Sequence, residues 1–481
     1  MYNTIDSYYK YIYREQLDFR YRLYKLSKTN DLQKSIDFAQ ELIYKAFHGS
    51  VGYFASSELE KPFLRLAQTI DTDKDLDFKR NSFLHVMTQA YTAGGHTRVV
   101  ERWIDSAPAD QKHSVVILKQ NNEPCPLRLY KVASHHGGDV YLFNENSLDK
   151  RAKLLRDLGC QYEYVVLHIH MWDPTAIVAF GKDDFLRPVI FFNHADHLFW
   201  CGSSVVDMLA DLRDNNFASV RGISNRFSLR IPFEQNKEFF NYRFSKSESR
   251  KRLGLPQDKT IILTTGGPHK YNPFTGKDFC SVVKKILINK SDVICVGVGP
   301  TIETGLWSSD NKLFMPIGPV DYDSGYVDYL NACDIYIDSI PLGGGVAMLD
   351  ALQFRKPVLS YSLFKLPLGD IIKGVDTIYD ESVFEQILHR LIENEQYRQK
   401  FAETELNTVL DYHGIDRWKL NVEAMISKIP SCHSVNRNFF KGRRSVDDLC
   451  VMDCQWFNSF TYKTINIHDV WHQVKCFTFR G

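Results

Sequence analysis

Long apolar runs, paired cysteines and net charge are all scarce in this sequence of 481 residues. No stretch approaches the roughly 20 apolar residues that a membrane-spanning helix requires, and the first residues lack the basic start and apolar run of a secretory signal. The 59 basic residues are balanced by 58 acidic ones, so the chain has no general attraction to nucleic acid or acidic membranes. These absences predict a cytoplasmic protein without a nucleic-acid partner or a transmembrane segment.

The ten cysteines form no Cys-x-x-Cys pair and are scattered along the chain. In a long sequence without an export signal, this distribution favours reduced thiols over disulfides. The last residues hold the best candidates for zinc ligands, but their spacings are looser than those of zinc motifs. These candidates are Cys450, Cys454, His468, His472 and Cys476. We therefore predict no metal site.

The length suggests two or three domains, and an apolar share of 44% supports large buried cores rather than disorder. Residues 1–80 carry apolar side chains at helical spacing, such as Leu42, Ala46 and Phe47, and predict a helical N-terminal region. Residues 431–481 form a tail without a recognisable motif, whose role the sequence leaves open.

Residues 81–430 repeat one pattern, in which a short continuous apolar strand is followed by a helix. The predicted strands include 83–87, 114–118, 164–169 and 188–192, and then 260–265, 293–297, 335–337 and 357–360. Continuous apolar strands separated by helices are typical of a parallel sheet covered on both faces. The sequence therefore predicts an α/β fold of two Rossmann-like, doubly wound domains, 81–235 and 236–430, whose strand ends face one cleft.

The strongest motif is a turn of three glycines, Gly343-Gly344-Gly345, between a predicted strand and a predicted helix. Backbone N–H groups at a helix start form an anion site, and glycines let a diphosphate approach the main chain. Asp350 lies about one turn into that helix, where a carboxylate can accept hydrogen bonds from a ribose diol. A plain glycine turn with a solvated aspartate explains the same residues equally well.

A lysine-bearing loop, residues 264–273, follows the first strand of the same predicted domain and includes Lys270. A lysine at the carboxyl end of a strand can neutralise a diphosphate leaving group. Alone, this lysine is better explained as a solvated side chain. Its occurrence in the same domain as the glycine turn favours a phosphate site.

Together, these two stretches resemble the donor-binding domain of GT-B glycosyltransferases. They look most like the family of O-linked N-acetylglucosamine transferases and bacterial cytosolic adhesin N-glycosyltransferases. The Lys-x-[Asn/Asp]-Pro loop of that family reads Lys270-Tyr271-Asn272-Pro273 here, and its Pro-Leu-x-x-Gly turn followed by a helical aspartate reads Pro341-Leu342 through Asp350. The resemblance covers roughly residues 82–428.

The resemblance implies that Lys270 contacts the diphosphate of a UDP-sugar and that Asp350 holds the uridine ribose. Ile317-Gly318-Pro319 resembles the nucleotide-side loop of the family. The sequence departs from the family where a polar His-Thr-Thr run is replaced by Gly345-Val346-Ala347, which leaves backbone amides as the phosphate ligands. The implied donor-binding residues are Gly267, Lys270, Asn272, Ile317, Gly318, Gly343, Gly344, Gly345, Val346, Ala347 and Asp350.

The same turn bears on stereochemistry. Retaining GT-B families carry two glutamates eight residues apart here, and with Asp350 in the second place the first falls on Leu342, which has no carboxylate. This departure favours an inverting displacement, in which a general base deprotonates the acceptor as UDP leaves.

Candidates for the base and for acceptor binding follow the strands of the first domain. Gly94, Gly95, His96 and Thr97 open a helix in a loop that resembles the Gly-Gly loop of many GT-B enzymes, although an ordinary glycine turn explains it as well. An unperturbed histidine is a base near neutral pH, so His194 is our first candidate for the general base and Asp196 the second. The remaining candidates for the acceptor or sugar side are His170, Asp173 and His197.

The sequence thus predicts a glycosyltransferase that moves a hexosyl or N-acetylhexosaminyl group from a UDP-sugar to a saccharide or protein acceptor. We expect inversion, with Lys270 as a catalytic residue beside the base, and no metal or other cofactor. Two alternatives stay open. One is a UDP-sugar epimerase or hydrolase on the same fold, and the other is a non-catalytic GT-B-like binding protein.

Overall fold

The computed structural model describes most of the chain up to residue 436. The described residues are 5–49, 51–73, 76–92, 95–121, 123–213, 221–223, 225–233, 244–302, 304, 307, 313–320, 325–364 and 369–436. Gly94 and the cysteines and histidines of the tail beyond residue 436 lie outside them. Among the helices that the structure describes, none combines the length and apolar character needed to cross a bilayer.

In the described part of the N-terminal region, three helices precede the first strand: α1 Ile5–Ser27, α2 Leu32–Gly49 and α3 Ser57–Gln68. They pack on the first domain because α2 and α3 bury one apolar face each. The fully buried Glu60 fixes α3 further, since its carboxylate accepts hydrogen bonds from the backbone N–H groups of Gly202, Ser203 and Ser204. Tyr8 of α1 also packs against Phe274 of the second domain, at 5.1 Å between ring centroids.

The first sheet has seven strands in the order β3-β2-β1-β4-β5-β6-β7, and all neighbours run parallel. Its strands are β1 Lys79–Met87, β2 Lys112–Ile117, β3 Val140–Leu142, β4 Tyr162–His168, β5 Val189–Asn193, β6 Met208–Asp211 and β7 Arg226–Ser228. The helices between them are α4 Gly95–Asp105, α5 Leu127–His135, α6 Leu148–Cys160 and α7 Thr175–Phe180. The central strands are buried along most of their length, which explains their continuous apolar sequences.

The second sheet has six parallel strands in the order β10-β9-β8-β11-β12-β13. Its strands are β8 Thr260–Thr265, β9 Val293–Val298, β10 Phe314–Gly318, β11 Ile335–Ile337, β12 Val358–Tyr361 and β13 Thr377–Ile378. The helices around it are α8 Lys246–Arg252, α9 Phe279–Leu287, α10 Val327–Ala332 and α11 Val346–Gln353. A 3₁₀ turn, Pro268–Tyr271, lies in the predicted lysine loop. The last helices of the described residues are α12 Glu381–Glu393, α13 Glu395–His413 and α14 Ile415–Ile426.

The two domains share one buried apolar core on the faces that meet. Trp418 of α14 packs against the first domain. Its ring contacts the ring of Trp103 of α4 edge-on, with the two centroids 5.4 Å apart. The described end of the tail also contacts the first domain, because His433 Nδ1 lies 2.7 Å from Asp207 Oδ2. The facing surfaces are thereby held together around a cleft at the strand ends.

Candidate active site

A cleft of about 580 Å³ lies between the domains and is lined by residues of both. It lies beyond the carboxyl ends of the strands, where open α/β sheets bind ligands. Ten of the predicted site residues line it. From the first domain these are Gly95, His96 and His194, and from the second Gly267, Lys270, Gly344, Gly345, Val346, Ala347 and Asp350.

On the second domain, the glycine turn is folded over a buried carboxylate, that of Asp338. The Gly344 N–H donates to Asp338 Oδ2 over 2.7 Å, and the Ser339 N–H donates to Oδ1 over 2.9 Å. Lys270 Nζ reaches the same turn and lies 3.4 Å from the Gly343 carbonyl oxygen. The Gly344 N–H is therefore used inside the turn, and Gly345, Val346 and Ala347 are the turn residues that follow it along the cleft.

Lys270 and Asp338 form a coupled pair beneath this turn. Burial lowers the pKa of the Lys270 ammonium, and the Asp338 carboxylate opposes that change. Burial likewise raises the pKa of Asp338, against the effects of Lys270 and of the two amides. Anionic ligand charge beside Lys270 would stabilise its ammonium form, so this part of the cleft suits an anion.

The N-termini of two helices meet across the cleft. A side-chain carbon placed on Gly95, at the start of α4, would lie 3.0 Å from Val346 Cγ2 at the start of α11, so any larger residue there would require Val346 to shift. Further along the same helices, Arg102 Nη2 donates to Asp350 Oδ1 over 2.6 Å, and both side chains are largely buried. This ion pair joins the two domains directly beside the cleft. It occupies one carboxylate oxygen of Asp350, the residue predicted to bind the ribose.

The opposite wall carries imidazoles. The His194 and His96 ring centroids are 4.2 Å apart, and His194 Nε2 lies 3.1 Å from His168 Nδ1. Burial lowers the pKa of His194 well below its ordinary value, and it lowers the pKa of His96 to about 3. Both rings are therefore neutral at physiological pH, which leaves a lone pair on each.

The other residues predicted for this side lie behind the lining. The Asp196 carboxylate is bound by Arg213, with Nε 3.1 Å from Oδ2, and by His197 Nδ1 at 3.3 Å from Oδ1. Burial alone would raise the pKa of Asp196, but the charge of Arg213 and the His197 contact lower it. Asp196, the second candidate for the base, is thus committed to an ion pair and does not line the cleft.

Asp173, His170 and Thr97 connect the loops that surround the cleft. Asp173 accepts hydrogen bonds from Thr88 Oγ1 at 2.6 Å and Thr175 Oγ1 at 2.6 Å, which joins the ends of β1 and β4. His170 Nε2 lies 3.1 Å from the Tyr91 hydroxyl. Thr97 Oγ1 accepts a hydrogen bond from the Tyr91 N–H.

Asn272, Ile317, Gly318 and Gly343 also lie next to the lining rather than in it. Ile317 and Gly318 end strand β10, and the two residues after them, Pro319 and Val320, face the cleft. One basic residue of the lining, Arg98, was not among the predicted site residues, although it follows the predicted Gly-Gly loop directly. Lys270 supplies positive charge from the second domain and Arg98 from the first, where the Arg98 guanidinium is paired with the buried Glu101 carboxylate at 3.3 Å.

In the described part of the chain, no group of three or more His, Cys, Asp or Glu side chains could hold a metal ion. His194 and His197, whose spacing is compatible with zinc, are directed to different partners, His168 and Asp196.

The fold places the chain in a known structural class. No protein-family model matches it, and no curated protein matches it. Solved structures do match, and together with the two parallel sheets they confirm the predicted fold class, GT-B, with two Rossmann-like domains facing a cleft.

Two of these structures serve as particular examples. Anabaena Alr3699/HepE in complex with UDP and glucose is 12% identical, with a TM-score of 0.51 over 72% of this chain and 100% of that chain. A glycosyltransferase from Rickettsia africae is 11% identical, with a TM-score of 0.53 over 73% of this chain and 99% of that chain. Identities this low establish the fold alone.

Proposed function

We propose that this chain is a glycosyltransferase that transfers a hexosyl or N-acetylhexosaminyl group from a UDP-sugar to a saccharide or protein acceptor. One observation carries the proposal: a lysine and a glycine-rich helix start form one wall of the interdomain cleft, and neutral imidazoles form the other. The first wall suits a diphosphate and the second a base. A protein of similar fold, Anabaena HepE, has been crystallised with UDP and with UDP-glucose.

In the proposed complex, the diphosphate lies against Lys270 and the first turn of α11, and Asp350 accepts a hydrogen bond from the ribose through its second oxygen. The uracil lies toward Pro319 and Val320, which line the same end of the cleft. Arg98 faces the donor from the other domain. Lysine charge and helix-start amides together stabilise the leaving group, so the scheme requires no metal.

The chemical step is a single displacement. His194 takes the proton of the acceptor hydroxyl or amide, the acceptor atom forms a bond to the anomeric carbon, and the bond from that carbon to the diphosphate oxygen breaks. Its electron pair leaves with UDP, whose added charge Lys270 neutralises. Attack from the side opposite the leaving group inverts the anomeric centre, in keeping with Leu342 at the position where retaining families carry a carboxylate.

The experiment is a donor panel. Purified full-length protein is incubated with UDP-glucose, UDP-N-acetylglucosamine and other UDP-sugars, with and without a mixture of glycan and peptide acceptors, and UDP release is measured. We expect acceptor-dependent release, undiminished by EDTA, and a product whose anomeric configuration is inverted by NMR. Release that acceptors do not increase would favour a hydrolase, and absence of UDP binding in thermal-shift assays would favour a non-catalytic protein.

Gly344 offers a test of the diphosphate wall. A Cβ at this position would lie 3.2 Å from both Lys270 Nζ and Asp338 Oδ1, so in Gly344→Ala the lysine head group must shift by a few tenths of an ångström at the turn. We expect affinity for UDP to fall about 10-fold, equivalent to about 1.4 kcal/mol, in isothermal titration calorimetry. Gly49→Ala, where the nearest atom is an ordinary 3.7 Å away, is the control. Unchanged UDP affinity in Gly344→Ala would contradict close packing of the diphosphate against this turn.

A further inference from the structure

Four histidines form a continuous row of hydrogen-bonded imidazoles behind the cleft. His194 Nε2 lies 3.1 Å from His168 Nδ1, His168 Nε2 lies 3.1 Å from His85 Nδ1, and His85 Nε2 lies 2.9 Å from His113 Nδ1. His113 Nε2 in turn lies 3.3 Å from Gln111 Oε1. The row leads from the cleft, which His194 lines, to the amino end of strand β2.

The register of the sheet builds this row. His113 is level with Phe83 on β1, two residues before His85, and His85 is level with Val166 on β4, two residues before His168. Residues two apart on a strand point to the same face, so the imidazoles lie on one face and step diagonally across it. Continuing the β4–β5 register places His194 one such step beyond His168.

The row is sealed from water along its length. His85, His113 and His168 have no exposed surface, and the Trp103 ring covers the middle, with centroids 5.3 Å from His85 and 5.7 Å from His168. Titratable neighbours lie at its ends. His96 faces His194 at the inner end, and His136, on which His135 and Asp105 act, lies 5.7 Å from His113 at the outer end.

The hydrogen-bond directions in the row are linked. A neutral imidazole has one N–H and one lone pair, so each ring that uses both nitrogens donates on one side and accepts on the other. With the Gln111 amide oriented so that Oε1, which can only accept, faces His113, the N–H of His113 is assigned to Nε2. The same assignment then follows for His85, His168 and His194, and it leaves the lone pair of His194 on Nδ1.

We propose that His168, His85 and His113 relay the proton that His194 removes from the acceptor, carrying it from the cleft to the amino end of β2. This inference rests on the proposed glycosyl transfer, because that reaction supplies the proton. His168, His85 and His113 act through His194 and are positioning and relay residues, whereas His194 contacts the substrate.

The relay balances in atoms and charge. As the acceptor proton bonds to His194 Nδ1, the proton on its Nε2 moves to His168 Nδ1, and the same exchange follows at His85 and His113. The last proton leaves His113 Nε2 at the outer end of the row, where the half-buried Gln111 side chain must turn aside from its 3.3 Å contact to admit a water molecule. A proton that re-enters at His113 Nε2 after product release resets the row, and His194 then gives its Nδ1 proton to water in the open cleft. No oxidant or other reactant is needed.

The relay offsets a difficulty at the base. An imidazolium at His194 would be a buried charge, and such a charge is unfavourable without a counter-ion. Passing the Nε2 proton outward moves the charge away from the cleft to the half-buried edge of the sheet. A relay of only two histidines would leave the positive charge close to the UDP-sugar. A row of four histidines carries the charge across three strand-to-strand steps.

The test breaks the row at two places that are remote from the cleft. Glutamine can make hydrogen bonds but cannot take a proton on one atom and release another, so His85→Gln and His113→Gln interrupt the relay. Turnover is followed as UDP release from the best UDP-sugar of the donor panel, in the presence of the acceptor mixture that increases this release. We expect kcat to fall at least about 10-fold in each variant, as a part of the about 10²- to 10⁴-fold that proton transfer contributes, with donor KM and UDP affinity unchanged.

The control for loss of a buried imidazole is His433→Gln, which replaces a ring hydrogen-bonded to Asp207 and to the Phe180 carbonyl, away from the cleft. It is expected to keep kcat. Since both relay breaks interrupt the same path, the double variant His85→Gln/His113→Gln should be no slower than either single variant. An effect that shrinks from His85 to His113, or kcat values equal to that of His433→Gln, would overturn the relay while leaving glycosyl transfer intact.

A second measurement needs no variant to be active. In ¹⁵N-histidine NMR of the wild-type protein, His85, His113, His168 and His194 should all be neutral with the proton on Nε2 at pH 7, assigned by their loss in the four glutamine variants. Protonation on Nδ1, or a charged ring, would contradict the direction of the row. If the wild-type protein turns over no UDP-sugar, the proposed reaction fails, and with it the role of the row in that reaction.

Discussion

Lys270→Ala is expected to lower kcat/KM for the UDP-sugar by about 10²- to 10³-fold, the loss that follows removal of one group that stabilises transition-state charge. Lys270 is the lysine that the second domain contributes to the lining of the cleft, and its ammonium lies at the glycine turn. Without it, the charge of the buried Asp338 carboxylate beneath the glycine turn is no longer offset by Lys270 and opposes the negative charge that develops on the departing UDP. Kinetics of UDP release provides the measurement.

Two further variants make this result specific. Lys270→Arg keeps the charge but has a larger head group beside Gly344, so we expect partial activity. Lys277→Ala removes a nearby lysine whose exposed ammonium is 2.9 Å from Glu381 Oε2, and it should retain full activity. Circular dichroism must show that Lys270→Ala is folded. Full activity in a folded Lys270→Ala variant would contradict the donor-site assignment.

Much of the fold is predictable from sequence because the central strands are buried on both faces. Strands β8 and β11 coincide with the predicted 260–265 and 335–337, and both consist of continuous apolar or β-branched residues. The strands that the sequence did not reveal lie mainly at the sheet edges, as β3, β7, β10 and β13 do. Strand β7, Arg226–Ser228, is polar, and β10 includes Ile317 and Gly318, which the sequence places in a loop.

The candidate site likewise contains residues that the sequence predicts and contacts that it does not. Lys270, Asp350 and His194 follow strands or a glycine turn in sequence, so their position at the cleft follows from the rule that ligands bind at the carboxyl ends of strands. The partners of these residues do not follow from it. Arg102 is 248 residues from Asp350, and their ion pair depends on how the two domains pack.

The histidine row shows what such long-range packing adds. His85 and His113 are single histidines inside apolar strands, and each alone is typical of a satisfied core residue. Only the parallel register brings them into line with His168 and His194. A sequence search could have found them by asking which histidines share a face on adjacent strands, but this requires the strand order as well as the strands.

His194→Gln is expected to lower kcat by about 10²- to 10⁴-fold, the contribution of a general base. UDP affinity should stay near the wild-type value, because Lys270 and the helix start of α11 lie on the opposite wall. Rates of UDP release and calorimetric titration with UDP separate the two effects. His389→Gln, on the outer helix α12, is the control, and equal losses of kcat and UDP affinity would point to a structural rather than a catalytic role.

The pH dependence of the wild-type rate tests the same assignment. Burial, with His96 nearby, lowers the pKa of His194 well below 6.5, so the base is already neutral at pH 6 and kcat should be level between pH 7.5 and 6. A base with the ordinary pKa of 6.5 would lose about fourfold in rate over that interval, because it would be largely protonated at pH 6.

The stability of the fold, unlike this rate, should depend on pH over the same interval. The unfolded chain binds protons near pH 6.5 that the buried neutral rings of His85 and His96 do not, so the free energy of unfolding falls as the pH falls through this window. Initial rates measured well below the unfolding temperature keep the two effects apart, and a fourfold decline at pH 6 in folded protein would assign the base to a more exposed group.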